Sequence, residues 1–423
     1  MPLVDYPRQM ALKRSVLGKM AERYFSERSH NHKGLSEFAR TNPHVADYAR
    51  FRSMCESRGS SWKSWPESMR AGNSTDGDHD VTTEHYYLYT QWLLFNQMKS
   101  LADKARKSGP GLYLDFPLGV NPDGYDVWRY QDLFLLESTV GAPPDPGFAG
   151  GQEWGFPPTH PQRLRQTGYE YFISCLRHHF NYAGILRIDH VMGFHRLFVI
   201  PDGMEPRHGV YIHYNADEIY AITCLESQRA KAVVVGEDLG TVPPYVRPAM
   251  GQHNIFRNYV IQYELCTDSS KFLPAVPKNS VASFNTHDMP PFAAFWQGID
   301  IEQKLGLGIL NETSAESEKI NRETIKRSLT DHLKKNNSRK ADPDMRTVLQ
   351  DLLQFLSASP TMAVLINLED LWLETESQNI PGTDDKHPNW RRKARYSMEE
   401  FSQMPEVTDT LAEVNRIRRQ GGS

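Results

Sequence analysis

Beyond residue 110, short apolar or β-branched runs recur at Leu112–Phe116, Ile185–Ile188, Ala232–Val235, Tyr259–Tyr263, Val281–Phe284 and Ala363–Leu368. Several are separated by stretches of helical periodicity, among them Gln162–Phe180 and Ala216–Ala230. Strand, helix and strand at such intervals predict parallel βαβ units, and continuous apolar runs suit strands buried on both faces. Before residue 110 the pattern differs. Tyr6–Phe25 and Glu84–Leu101 carry apolar residues at helical spacing, while Cys55–Asp80 reads as a polar loop bearing Trp62 and Trp65. The expected organisation is a helical lead-in over residues 1–110 and a (β/α) region over 111–423. Within that region Glu302–Asp344 is charged and poor in large apolar residues after Leu310. It is expected to be an exposed helical excursion, and Arg416–Ser423 a frayed tail.

The fold class is therefore α/β. Asp115, Asp189, Glu237 and Asp288 fall at or just past the C-terminal ends of the predicted strands, the end at which a (β/α)8 TIM-type barrel carries its chemistry. A doubly wound sheet is the rival, but no glycine-rich phosphate loop follows any strand. Six strands are recognisable where a closed barrel needs about eight, so the barrel is expected to be incomplete.

The stretch Gly184–Pro201, GILRIDHVMGFHRLFVIP, concentrates the candidate chemistry. Its apolar start is a buried strand, and alternation turns Arg187 and Asp189 to the same face. A guanidinium beside a carboxylate holds it ionised and oriented, as a nucleophile requires, although a structural ion pair at a strand end would look the same.

Composition narrows the function. The 423 residues are 39% hydrophobic and 24% charged, ordinary for a globular chain, and the formal net charge of −4 gives no general attraction to nucleic acid or anionic membranes. There is no apolar run of membrane-spanning length and no signal-peptide pattern. The 4 cysteines are far apart, without zinc or redox spacing, which predicts reduced thiols and a cytoplasmic location. The 8 Trp, 19 Tyr and 19 Phe are enough to line a sugar-stacking cleft as well as a core.

Acidic groups gathered on one barrel rim repel, which raises at least one pKa. Glycoside chemistry asks for that division: one carboxylate ionised, another protonated as general acid. Arg187 would keep Asp189 charged, Glu237 would be the better acid/base, and His287 with Asp288 would hydrogen-bond sugar hydroxyls. The same carboxylates would also suit a divalent metal such as magnesium or calcium. Both readings stand on chemistry alone.

The order of motifs then becomes informative. LYLDFPLGVNPDGYDVW (Leu112–Trp128), GAPPDPGFAGGQEWG (Gly141–Gly155), GILRIDH, GEDLG and NTHD succeed one another along the chain. The chain resembles the 4-α-glucanotransferases of the amylomaltase (disproportionating enzyme) family, relatives of the α-amylases, from VDYPRQMALKRSVL to PGTDDKHPNWRRK. The resemblance implies Asp189 as nucleophile, Glu237 as general acid/base and Asp288 as transition-state stabiliser. It implies sugar contacts from Arg187 and His287, matches Asp115, Asp123 and Asp126 to the family's third-strand region, and places Gln152 and Trp154 on its substrate loop. Phe156 and Trp128 are further candidates for stacking on sugar rings.

The implied reaction is retaining double displacement between maltodextrins, without metal or cofactor, in glycogen or maltodextrin turnover. Two local features depart from the family pattern. Glu153 stands where Asn or Asp is usual, and the loop's aromatic, Phe148, sits one place late. Family members also carry a long stretch before VDYPRQM that supplies the first two barrel strands. Its absence would explain the count of six, and it leaves as alternatives an inactive remnant or glucan-binding protein, beside an α-glucan hydrolase of the same superfamily.

Overall fold

Each of the six apolar runs overlaps a parallel strand. The computed structural model describes residues 3–26, 33–72, 79–145, 148, 150–267, 273–336, 343–383 and 386–421. The chain divides into two compact units, Asp5–Val234 and Val235–Ser423, the latter joined by Met1–Val4.

In the first unit, β1 (Leu112–Phe116) pairs in parallel with β4 (Ala183–Ile188), Asp115 standing opposite Arg187. β4 is almost wholly buried, as its unbroken apolar run requires. The two strands start in close contact: a Cβ on Gly184 would lie 1.8 Å from the Pro110 carbonyl oxygen, so only glycine fits there. Helices Tyr6–Ser26 and Val81–Ser108 form as the periodicity predicts, and Asp80 caps the second by accepting from the Thr83 N–H at 2.8 Å.

The helix predicted over Gln162–Phe180 is two helices, Pro161–Gln166 and Glu170–Phe180. Gly168 (φ +63°) and Tyr169 (φ +61°) turn left-handed between them, and Tyr169 is buried with its hydroxyl donating to Glu218. The polar stretch Cys55–Asp80 is more ordered than a loop. Trp62 opens a short helical turn and Trp65 follows its end, both buried, with Trp62 donating its indole N–H to the Pro122 carbonyl at 3.1 Å, while residues 73–78 lie outside the described residues.

A second sheet was not predicted. It is antiparallel, in the order β3-β2-β5-β6, from β2 (Ser138–Ala142), β3 (Gln152–Glu153), β5 (Arg196–Pro201) and β6 (Val210–His213). Its core holds Val140, Leu197 and Val199, with Trp154 and Phe156 packed against them.

The division between the units falls within β7 (Val233–Gly236). In the second unit β7, β8 (Phe256–Val260), β9 (Ser280–Ser283) and β10 (Ala363–Leu365) pair in parallel in that order. Two predicted runs overshoot their strands, since Ile261–Glu264 and Leu368–Leu371 turn helical. The charged excursion proves to be only partly solvated. Its helix Glu312–Asn336 sends Leu329 and Leu333 into the core beside Val348 and Leu352. Arg322, also buried there, bonds Asp300 at 2.9 and 3.1 Å. The predicted frayed tail is instead helical to Gly421, with Arg418 donating to the carbonyls of Ser359, Thr361 and Met362 at 2.7–3.0 Å.

Candidate active site

Three of the predicted site residues meet at the C-terminal ends of β1 and β4. Arg187 Nη1 donates to both oxygens of Asp115, at 2.7 and 2.8 Å, and to Asp189 Oδ1 at 2.8 Å. The Arg187 side chain is 8% exposed, against 44% for Asp115 and 38% for Asp189. The cation thus lies beneath two carboxylates that reach into the open. Such charge-assisted bonds from a buried guanidinium fix the orientation of both carboxylates. The Asp189 backbone N–H donates to the Phe116 carbonyl at 3.0 Å, carrying the parallel pairing one residue past the strand and fixing where the carboxylate emerges.

His190 follows in the left-handed region (φ +46°), a conformation that disfavours ordinary side chains and recurs at functional sites. Burial pushes its pKa down to about 4, so the ring is neutral at pH 7. The ring of Trp154 meets it edge to face at 5.4 Å, and the Trp154 indole N–H donates to Gln152 Oε1 at 3.3 Å. Gln152 and Trp154, predicted as sugar contacts, are thereby brought to the residue adjoining Asp189.

Phe156 stacks on Trp154 at 6.3 Å and is pressed onto the backbone of Gly119, where a Cβ would meet its ring at 2.0 Å. Trp128 is 2% exposed, donates to the Met69 carbonyl at 3.0 Å and packs on Phe51. Trp128 is ordinary core, not a stacking platform. Asp126 stands apart from the arginine cluster, in the first turn of helix Tyr125–Arg129, accepting from the Tyr171 hydroxyl at 3.1 Å.

In the second unit Glu237 directly follows β7. It is 8% exposed and accepts from the Leu239 backbone N–H at 2.7 Å. Its neighbour Asp238 is fully buried, bonded by Arg247 and Arg257 at 2.8 Å each and by the Asn258 N–H at 3.0 Å. Asp238 therefore anchors the backbone from which Glu237 projects.

His287 and Asp288 lie in the loop after β9, with His287 Nε2 at 3.2 Å from Asp288 Oδ2. Asn379 donates to Asp288 Oδ1 at 2.6 Å, and Trp390 lies 5.9 Å from the His287 ring. Sequence reasoning missed Asp238, Asn379 and Trp390 as parts of the site. All three lie in or beside motifs that signal it, GEDLG and NIPGTDDKHPNW.

No helix among the described residues is long and apolar enough to cross a membrane. All four cysteines are free thiols.

Comparison with known proteins bears on what these residues serve. A 4-alpha-glucanotransferase from Mycobacterium bovis is 34% identical over 366 residues, 82% of this chain and 49% of that protein. One from Haemophilus influenzae is 32% identical over 346 residues, 78% of this chain and 50% of that protein. The chain thus spans about half the length of the curated relatives it matches. The crystal structure of amylomaltase from Corynebacterium glutamicum superposes with a TM-score of 0.84 at 27% identity, over 98% of this chain and 60% of that one. The architecture is accordingly that of the TIM-barrel amylomaltases. The family profile for 4-alpha-glucanotransferases matches residues 1–398, and the chain belongs to that family.

Proposed function

We propose that this chain transfers α-1,4-glucan segments between maltodextrins by retaining double displacement. In this reading Asp189 attacks the anomeric carbon while Glu237 protonates the departing glucan. The covalent glucosyl intermediate is then attacked by the 4-hydroxyl of an acceptor glucan, and Glu237 takes up that proton. Asp288 stabilises the transition state. His287, Arg187, Asp115, Asp126, Gln152 and Trp154 contribute sugar contacts. Transfer prevails over hydrolysis when the acceptor sugar fills the site and water is kept out.

The observation that carries the reading is the Arg187–Asp189 pair, in a chain of this family: a partly exposed carboxylate oriented from below by a buried guanidinium suits a nucleophile. The reaction needs neither metal nor cofactor, because both proton transfers and the covalent step are served by carboxylates. Four free thiols fit a reducing cytoplasm. Incubation with maltotriose is the test. Glucose together with longer maltodextrins supports transfer, short sugars alone mean a hydrolase, and unchanged maltotriose rejects both. Asp189→Asn, which removes the nucleophile at nearly equal volume, is expected to abolish transfer and leave the fold intact.

A further inference from the structure

The loop that presents His287 and Asp288 is held at both ends by one side chain. Asp370, 3% exposed on the short helix Leu368–Leu371, accepts from the Asn285 amide at 2.9 and 3.2 Å and from the Phe292 backbone N–H at 2.7 Å. Asn285 and Phe292 bracket the six residues between them, two of which, Pro290 and Pro291, have no N–H with which to brace the loop. Inside the loop the bonds are long: the Asp288 N–H reaches Thr286 Oγ1 at 3.3 Å, the Met289 N–H the Thr286 carbonyl at 3.2 Å, and Asn285 Nδ2 the Pro290 carbonyl at 3.4 Å. From outside, Gln262 Nε2 donates to that Pro290 carbonyl at 2.9 Å, near the end that Asp370 holds through Phe292.

Next to Asp370, Glu369 accepts from Gln378 at 3.0 Å and Arg392 at 2.8 Å. Those two residues belong to the segment that brings Asn379 to Asp288 and Trp390 to His287. Two consecutive carboxylates on one helical turn thus grip both the presenting loop and the segment packed on it.

We propose that Asp370 is the positioning residue of the His287–Asp288 pair, its buried carboxylate setting the span of the loop between Asn285 and Phe292. The inference rests on the catalytic role assigned to Asp288 above. A purely structural role explains the site less well. These bonds to Asp370 come from neutral N–H donors, and burying a carboxylate against neutral partners costs more than filling the space with an apolar side chain. Burial accordingly pushes the pKa of Asp370 up to about 7. What the carboxylate supplies, and an apolar group cannot, is two acceptor oxygens that fix both ends of the loop at once.

The test joins hydrogen exchange across residues 285–292 with maltotriose transfer. Asp370→Asn sets a donor against the Asn285 amide. Exchange of the Asp288 and Met289 amides should rise roughly tenfold while exchange in β8 stays unchanged. If wild type transfers glucan, kcat should fall by roughly tenfold or more with KM little altered. Combining Asp370→Asn with Asn285→Asp restores donor facing acceptor, and should recover loop protection and part of kcat. Should Asp370→Asn fail to fold, Asn285→Ala releases one end alone and should show the same rise. Unchanged loop exchange in these variants, or no recovery in the swapped pair, overturns the proposal. A wild-type chain without transfer would reject the reaction assigned above, and loop exchange would still decide whether Asp370 holds the loop.

Discussion

Asp115 and Arg187 face each other across the parallel pairing of β1 and β4, with Arg187 Nη1 2.7 and 2.8 Å from the two carboxylate oxygens. The same nitrogen also bonds Asp189, so one buried cation aligns two carboxylates from two strands. A lysine ammonium ends one atom short of the guanidinium nitrogens on a more flexible stem, so it cannot hold its charge where Nη1 meets both carboxylates. Arg187→Lys should lower maltotriose transfer by about 100-fold, since misplacement by about 1 Å has that effect in a preorganised site. It should also lower the free energy of unfolding by about 2 kcal/mol, less than the full loss of a buried pair because both carboxylates stay partly solvated. Initial rates and urea midpoints check the two effects. A near-wild-type rate would remove Arg187 from the positioning of Asp189.

Asp238 offers a second, independent test beside the proposed acid/base. It lies just past the end of β7, in a fully buried position where two arginines and a backbone N–H converge. Asp238→Asn retains the volume but leaves Arg247 and Arg257 without their carboxylate. Stability should fall by about 3 kcal/mol, the usual loss when one partner of a buried charge network is removed. Urea denaturation measures this. Transfer should weaken as well, since the same peptide carries Glu237, and a stable variant with unchanged kcat would show that Asp238 serves the fold alone.

The strands that carry chemistry were legible because parallel strands buried on both faces leave unbroken apolar runs, and the acidic residues end those runs. Arg187 beside Asp189 follows from period-two alternation within a single strand. The antiparallel sheet was hidden for a different reason. Its pairing joins Ser138 to Pro201 and Arg196 to His213, contacts that leave no periodic mark, and the run of β5 merges with the motif just before it. Trp128 shows the same limit: an aromatic in a site-like motif reads as a sugar platform until its indole N–H is found on the Met69 carbonyl. Likewise the partners of Asp238 lie 9 and 19 residues along the chain, beyond any local pattern.

His190 gives stability a pH dependence of definite sign. Its folded pKa lies near 4, below the ordinary histidine value of 6.5, because burial disfavours the charged ring. Between those values the unfolded chain binds a proton that the native ring refuses. The contribution of this residue is therefore complete above about pH 6.5 and is lost as pH falls toward 4, amounting to about 3 kcal/mol. His190→Asn removes the titration while tolerating the left-handed backbone, a conformation that asparagine adopts readily. Urea unfolding at about pH 4, 5, 6 and 7 should show wild type losing stability toward acid more steeply than the variant, with the gap opening below about pH 6.5. Parallel curves for the two proteins would mean that His190 titrates normally, and that the ring against Trp154 is open to water rather than enclosed.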